Sequence, residues 1–150
     1  GLVIEEIFPQ VPNDFCDNAT PFAIPAGGEI NQIIGSTVDA SYDTTEKCVV
    51  PNTSPGVWYS VIGNGKQVTI TTCGPQTTFD TRLTVFSGSC QSLKCVTGND
   101  DSSRDSGGCG LASTASWPSV AGEVYYIRVH GWGSLTGTFQ LSIQEEPELE

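Results

Sequence analysis

The sequence has few basic residues, a single histidine and no methionine. Lysine and arginine together number 6 against 17 aspartates and glutamates, which gives a formal net charge of −11 at pH 7. A surface this negative repels the phosphates of nucleic acids and of anionic lipids, so neither is expected as a partner. The sequence also lacks an apolar run of the roughly 20 residues that a membrane-spanning helix needs, so we expect no membrane insertion.

The sequence also lacks the pattern of a zinc site. It has one histidine and no Cys-x-x-Cys spacing, whereas zinc sites combine histidines with closely spaced cysteines. Its 6 cysteines are instead an even set in an acidic, threonine-rich chain. This predicts three disulfides and a secreted protein, extracellular or on the cell surface. The predicted pairs are Cys90 with Cys95, Cys16 with Cys48, and Cys73 with Cys109.

Two sequons for N-linked glycosylation are present. They begin at Asn18 and Asn52, both in turn-rich stretches where an acceptor is expected to be exposed. Pro55 directly follows the second sequon and makes it the weaker acceptor. We therefore expect a glycoprotein, with Asn18 as the stronger candidate.

Hydrophobic periodicity favours strands throughout. No segment of ten or more residues has the apolar spacing of a helix, and short alternating runs are separated by Gly, Pro, Asn and Asp. Pro118 places the run that carries Trp117 at a sheet edge or a bulge. The runs predict an all-β fold: a two-layer β-sandwich of jelly-roll type with eight or nine short antiparallel strands. Its predicted core residues are Trp58, Leu83, Val85, Tyr126, Phe139 and Leu141.

The chain divides into three parts. Residues 1–12 form an N-terminal extension that ends in a proline-bearing stretch, and residues 13–144 form the sandwich. Residues 145–150 form an acidic C-terminal tail or linker, because their composition is typical of extended links between modules.

A series of motifs resembles a known family. The motifs are NDFCDNA at 13–19, GVWYS at 56–60, FDTRLTVFSGSC at 79–90, CVTGNDD at 95–101 and YYIRVHG at 125–131, followed by GTF at 137–139. In this order they resemble the pre-peptidase C-terminal (PPC-like) domain family, in the Cys-rich form found in secreted microbial proteins. The resemblance covers roughly residues 13–143. It implies a non-catalytic jelly-roll module outside the cell, linked to secretion, adhesion and carbohydrate or protein binding, with calcium bound in some members.

Acidic turns provide a candidate metal site. Calcium takes six to eight oxygen ligands, several of them carboxylates from turns. Asp80, Asn99 and Asp101 could supply such oxygens if their loops lie at one end of the sandwich. The alternative is that these residues only cap turns, which is common chemistry for Asn and Asp.

Catalysis has little support in the sequence. No Gly-x-Ser-x-Gly elbow accompanies His130, which we expect to be a strand-end histidine packed near Trp132. Asp100 and Asp101 are adjacent, whereas a glycosidase needs two carboxylates about 5–9 Å apart across a sugar. Among the aromatic residues Trp132, between two glycines, is the best candidate for stacking on a sugar ring, ahead of Trp117, Tyr42 and Tyr59.

The apolar N-terminal extension suggests assembly. Leu2, Ile4 and Ile7 could fill a groove on a neighbouring copy, with the segment added as a strand to that copy's sheet edge. Such head-to-tail contacts build filaments. We therefore predict a non-catalytic structural or adhesive module that binds copies of itself or neighbouring modules and forms a fibre or sheath. The alternative is a carbohydrate- or matrix-binding accessory module of a larger secreted hydrolase.

Overall fold

The computed structural model describes residues 11–43, 45–101 and 110–146. Two short 3-10 turns lie at Cys16–Asn18 and Ala26–Gly28, and none of the helical segments in the described ranges is long and apolar enough to cross a membrane. The nine strands within these ranges are β1 Thr20–Pro21, β2 Asn31–Ser36, β3 Val57–Ile62, β4 Gln67–Thr71, β5 Thr81–Ser89, β6 Ser92–Asn99, β7 Thr114–Pro118, β8 Val124–Gly131 and β9 Thr138–Glu145.

The strands form two sheets, which confirms the predicted all-β class. The five-stranded sheet has the order β1-β3-β8-β5-β6, and the four-stranded sheet has the order β2-β9-β4-β7. Neighbouring strands are antiparallel except for the two-residue β1, which pairs in parallel with β3. The prediction of antiparallel strands alone is therefore wrong for β1. Strand β7 lies at an edge, as Pro118 predicted.

Alternating residues of both sheets form one hydrophobic core. Strands β5 and β9 contribute Leu83, Val85, Phe139 and Leu141, all with no exposed surface, which confirms these four core predictions. Burying each such side chain contributes about 1.5–3 kcal/mol. The period of two leaves every second residue of these strands on the outer faces.

Trp58 and Tyr126 lie outside this core. Trp58 is 1% exposed, but it belongs to a separate cluster with Cys48 and Phe86, against which Tyr126 is partly buried. The alternation explains this placement: Val57 on the preceding position is a core residue, so Trp58 points to the other face of the five-stranded sheet. The predicted burial of Trp58 is therefore confirmed, although in this second cluster, whereas Tyr126 is only partly buried and its prediction as a core residue is wrong.

The disulfides differ from the predicted pairs. Cys16 is bonded to Cys90, and Cys48 is bonded to Cys95. Cys90 lies in the turn of the β5–β6 hairpin. Cys95 lies within β6, where it pairs with Phe86, three residues beyond the pair of Ser89 and Ser92 that adjoins the turn. At about 3.3 Å per residue the extended strand holds these two cysteines too far apart for a bond.

Cys73 is also disulfide-bonded, and its predicted partner Cys109 lies outside the described residues. No cysteine in the described ranges is free. Because disulfides of this kind form in oxidising compartments, the chain is an exported protein.

Candidate functional site

The β5–β6 hairpin brings an acidic cluster together at one end of the sandwich. Asp80 immediately precedes β5, and Asp100 and Asp101 immediately follow β6. Leu83 of β5 pairs with Asn99 of β6, so the start of one strand lies beside the end of the other. Antiparallel pairing therefore explains why residues twenty positions apart in the chain meet.

The three carboxylates of this acidic cluster lie close enough to share one ion. Asp80, Asp100 and Asp101 each offer a carboxylate oxygen, and these oxygens all lie within 4.8 Å of one another. Asp80 and Asp100 are partly buried, and Asp101 is exposed. Oδ1 of Asp80 and Oδ1 of Asp100 are sealed from solvent without a hydrogen-bond partner among the described residues. Buried acceptors of this kind normally have a partner.

The electrostatics of the cluster disfavour three bare negative charges. Burial raises the pKa of Asp80 from 3.8 to about 6, with further contributions from the charges of Asp100 and Asp101. Arg82 acts in the opposite direction. Its Nε lies 3.2 Å from Oδ2 of Asp100, so it compensates part of the negative charge.

The backbone around the cluster is held by short hydrogen bonds. Buried Ser113 donates from Oγ to the carbonyl of Asp100 and is also 2.6 Å from the carbonyl of Thr81. The carbonyl of Asp80 accepts from the amide of Trp132 at 2.9 Å. Three chain segments are thus fixed relative to one another before any ligand binds.

Asn99 is not part of the cluster. Its Oδ1 accepts a hydrogen bond from the amide of Thr114 at 3.0 Å, which ties the end of β6 to β7. Asp100 takes the position that the sequence analysis gave to Asn99. The residue at which β6 ends decides which side chain turns inward, and alternation of apolar residues does not fix that end.

A second polar centre lies on the outer face of the five-stranded sheet. Arg128, fully buried, places its Nε 2.9 Å from Oδ2 of Asp43 and donates to the carbonyl of Ser54 and to Oδ1 of Asn52. The same Oδ2 accepts from Nε1 of Trp58 at 3.1 Å. Burial lowers the pKa of Arg128 and raises that of Asp43, and the ion pair opposes both shifts.

The two sequons have different environments. Asn18 is exposed at the end of a 3-10 turn. Nδ2 of Asn52 donates to the carbonyls of Asp43 and Thr45 and to the Thr45 hydroxyl, at 2.7–3.2 Å. An attached glycan would replace one of the amide hydrogens that these bonds use. In the folded chain the Asn18 side chain is therefore exposed, whereas the Asn52 amide is already used in hydrogen bonds.

His130 lies inside the protein, away from solvent. It is 1% exposed, and burial, followed by the charges of Arg128 and Arg82, lowers its pKa well below 6.5. Its ring nitrogens have no hydrogen-bond partner among the described residues, so no serine or carboxylate there is joined to it as in a catalytic triad. Trp132 beside it in the chain is 53% exposed.

Some predicted positions fall elsewhere. Leu2, Ile4 and Ile7 lie outside the described residues, as do residues 147–150 of the predicted tail 145–150, whereas Glu145 is buried and ends β9. Trp117 is buried against the ring of Tyr125, with centroids 5.4 Å apart, and Tyr59 is buried beside Phe139.

Comparison with known proteins gives one similar solved structure. No family model matches the sequence, and no curated protein matches it. The similar structure is that of Aeromonas hydrophila PliG, a periplasmic lysozyme inhibitor of g-type lysozyme, with 14% sequence identity and a TM-score of 0.47. The match covers 85% of this chain and 99% of that one.

This finding corrects the predicted function and partners. The structure that matches is that of an inhibitor of another protein, and it corrects the predicted self-assembling fibre or sheath subunit and the prediction of copies of itself or carbohydrate as partners.

Proposed function

We propose that this chain is a calcium-stabilised, non-catalytic module of an exported protein. The observation that carries the proposal is the convergence of the Asp80, Asp100 and Asp101 carboxylates, with oxygens within 4.8 Å of one another. Two of their oxygens are buried without a partner among the described residues. A bound cation would satisfy these oxygens and would also offset the burial and the repulsion from Asp100 and Asp101 that raise the pKa of Asp80.

The chemistry of the ligands favours calcium over softer metals. The acidic cluster offers carboxylate oxygens without a thiolate or imidazole, and hard cations such as Ca²⁺ prefer oxygen ligands. Calcium also tolerates irregular coordination better than Mg²⁺, which demands a near-ideal octahedron. Because the cluster joins the chain before β5 to the chain after β6, the bound ion would connect these two segments at the end of the sandwich.

The test is thermal unfolding in calcium and in chelator. An ion that binds only the folded state stabilises by about 2.7 kcal/mol at a hundredfold excess over its Kd. We expect a higher Tm in Ca²⁺ than in EDTA, and a saturable heat of binding with one ion per chain. Mg²⁺ at the same concentration should have a smaller effect.

Matched variants make the test specific. Asp80→Asn and Asp101→Asn should abolish the calcium-dependent rise in Tm, whereas Asp39→Asn, at an exposed position outside the acidic cluster, should keep it. Equal Tm values of the unmodified chain in Ca²⁺ and EDTA would refute the proposal. So would an equal calcium response in the cluster variants.

Further expectations accompany this proposal. The cysteines favour an extracellular or cell-surface location for the exported protein, and both the strand pattern and the resemblance to PPC-like domains favour a sandwich of jelly-roll type. We also propose that Cys73 is bonded to Cys109, which would complete the three predicted disulfides. The exposed position of Asn18 supports it as an N-glycan acceptor, and the hydrogen bonds of Asn52 argue against the second sequon.

A further inference from the structure

A cavity of about 480 Å³ lies between the two described disulfides, on the outer face of the five-stranded sheet. We call it the disulfide-framed cavity. Its floor is closed by Trp58 and Phe86, whose ring centroids are 5.9 Å apart. Cys16, Cys90 and Cys95 contribute to its walls, and Leu93 is a half-buried apolar residue beside them. Its volume falls in the range of sites that hold a small ligand or a single large side chain.

The disulfide-framed cavity is pre-formed. The Cys16–Cys90 and Cys48–Cys95 bonds tie the surrounding segments to the β5–β6 hairpin. Asp43 is fixed near the floor because its Oδ2 accepts from both Trp58 and Arg128. A rigid site loses little conformational entropy on binding, which favours affinity for a guest of matching shape and charge.

The charges around the disulfide-framed cavity are complementary to a cation. Asp43 and Glu46 line it, and Asp17 accepts a hydrogen bond from the lining residue Gln91. Asp14 lies close enough to raise the pKa of Asp43 through its charge. The basic groups that oppose these carboxylates are Lys47 in the lining and Arg128, which is fully buried and already paired with Asp43.

Asp43 has capacity for a further positive partner. Both hydrogen bonds that its carboxylate accepts from the described residues fall on Oδ2, and Oδ1 accepts none from them. Burial outweighs the attraction of Arg128 and raises the pKa of this carboxyl. A second cation near Oδ1 would therefore be favourable.

We propose that the disulfide-framed cavity receives a lysine or arginine side chain presented by a protein partner. The cationic head would lie near Asp43, and the aliphatic stem would pass Leu93 and the disulfide sulfurs while Glu46 faces the rim. Long basic side chains combine such an apolar stem with a charged head. The site is separate from the acidic cluster, so this inference does not depend on calcium binding.

The experiment uses short peptides as probes and the indole N–H resonance of Trp58 as the reporter. Capped Gly-Gly-Lys-Gly-Gly and Gly-Gly-Arg-Gly-Gly peptides are titrated into the ¹⁵N-labelled full chain in EDTA. A peptide with norleucine at the centre matches the lysine stem without its charge. We expect saturable shifts of the Trp58, Gln91 and Leu93 resonances with the basic peptides and none with norleucine.

A pair of charge reversals separates the cavity from general attraction to an acidic protein. Glu46→Lys at the rim should weaken binding at least tenfold, whereas Glu29→Lys, at an exposed position outside the lining, should weaken it less than twofold. Both changes alter the net charge equally. The proposal is overturned if the basic peptides leave these resonances unmoved, if norleucine binds equally well, or if the two reversals have the same effect.

Discussion

At the scale of single residues, the environment of Asp80 makes stability depend on pH in an unusual direction. Its pKa in the folded chain is about 6, above the ordinary value of 3.8, so the folded state holds this proton more tightly than the unfolded state. The associated stability is fully present below about pH 3.8 and is lost as the pH rises through 6. Most paired carboxylates act in the opposite sense.

Asp80→Asn should therefore stabilise the chain in EDTA at pH 7 and flatten the loss of stability between pH 4 and 7. The amide removes the repulsion from Asp100 and Asp101 at every pH. Urea unfolding midpoints measured across this range would report the change. Asp39→Asn serves as the control and should keep the pH dependence of stability of the unmodified chain. If both variants show the same pH dependence, Asp80 is not the group responsible for it.

The ion pair of Arg128 and Asp43 gives a second prediction at this scale. Asp43→Asn leaves a fully buried guanidinium without its counter-charge, which costs about 3–5 kcal/mol of unfolding free energy. Chemical denaturation measures the loss. Glu29→Gln, which neutralises an exposed acid, should change stability by less than about 0.5 kcal/mol, and a similar small change for Asp43→Asn would show that the pair is not needed.

At the scale of secondary-structure elements, the β5–β6 hairpin determines both the acidic cluster and the disulfide pattern. Peptide mapping of the non-reduced protein should yield one linked pair containing Cys16 and Cys90 and another containing Cys48 and Cys95. The chain-entropy model assigns each bond about 4 kcal/mol, because the bonded cysteines are 74 and 47 residues apart. A recovered Cys90–Cys95 peptide would contradict this register.

The packing of strand β2 requires a residue without a side chain at Gly35. This glycine pairs with Phe139, and a Cβ atom there would lie 2.5 Å from Cζ of Phe139 and from the hydroxyl of Tyr59. Gly35→Ala should therefore cost about 1–3 kcal/mol through overpacking. Thermal unfolding tests this, with Gly27→Ala as a comparison for a glycine that has open space but a positive φ. A neutral Gly35→Ala would show that the sheets can separate locally.

The sequence predicted strands better than contacts between them. Alternation of apolar residues is a local pattern, so Phe139 and Leu141 could be assigned to the core directly. The burial of Trp58 was predicted, but the cluster to which it belongs was not, because both faces of β3 carry apolar residues and periodicity does not distinguish the faces. Cysteine pairs depend on the order of strands in the sheets, which no local pattern contains. Asp80 and Asp101 were found because acidic residues in turns are typical calcium ligands, although the hairpin that brings them together was not predicted.

At the scale of the whole molecule, the net charge of −11 opposes compaction. Self-repulsion of this size destabilises the folded state, and monovalent salt screens it over a Debye length of about 8 Å at 0.15 M. We expect Tm in EDTA to rise when NaCl is added from low ionic strength, by about 2–4 °C for each 1 kcal/mol gained. A falling Tm would show that screened attractions outweigh the repulsion.

The connectivity of the two disulfides also constrains how the chain matures. Cys16 and Cys48 leave a ribosome or an export channel well before Cys90 and Cys95, to which they are bonded. Oxidation of the nascent chain in order would join the wrong sulfurs. Productive biogenesis therefore requires either delayed oxidation until the hairpin has emerged or a disulfide isomerase that exchanges the early bond.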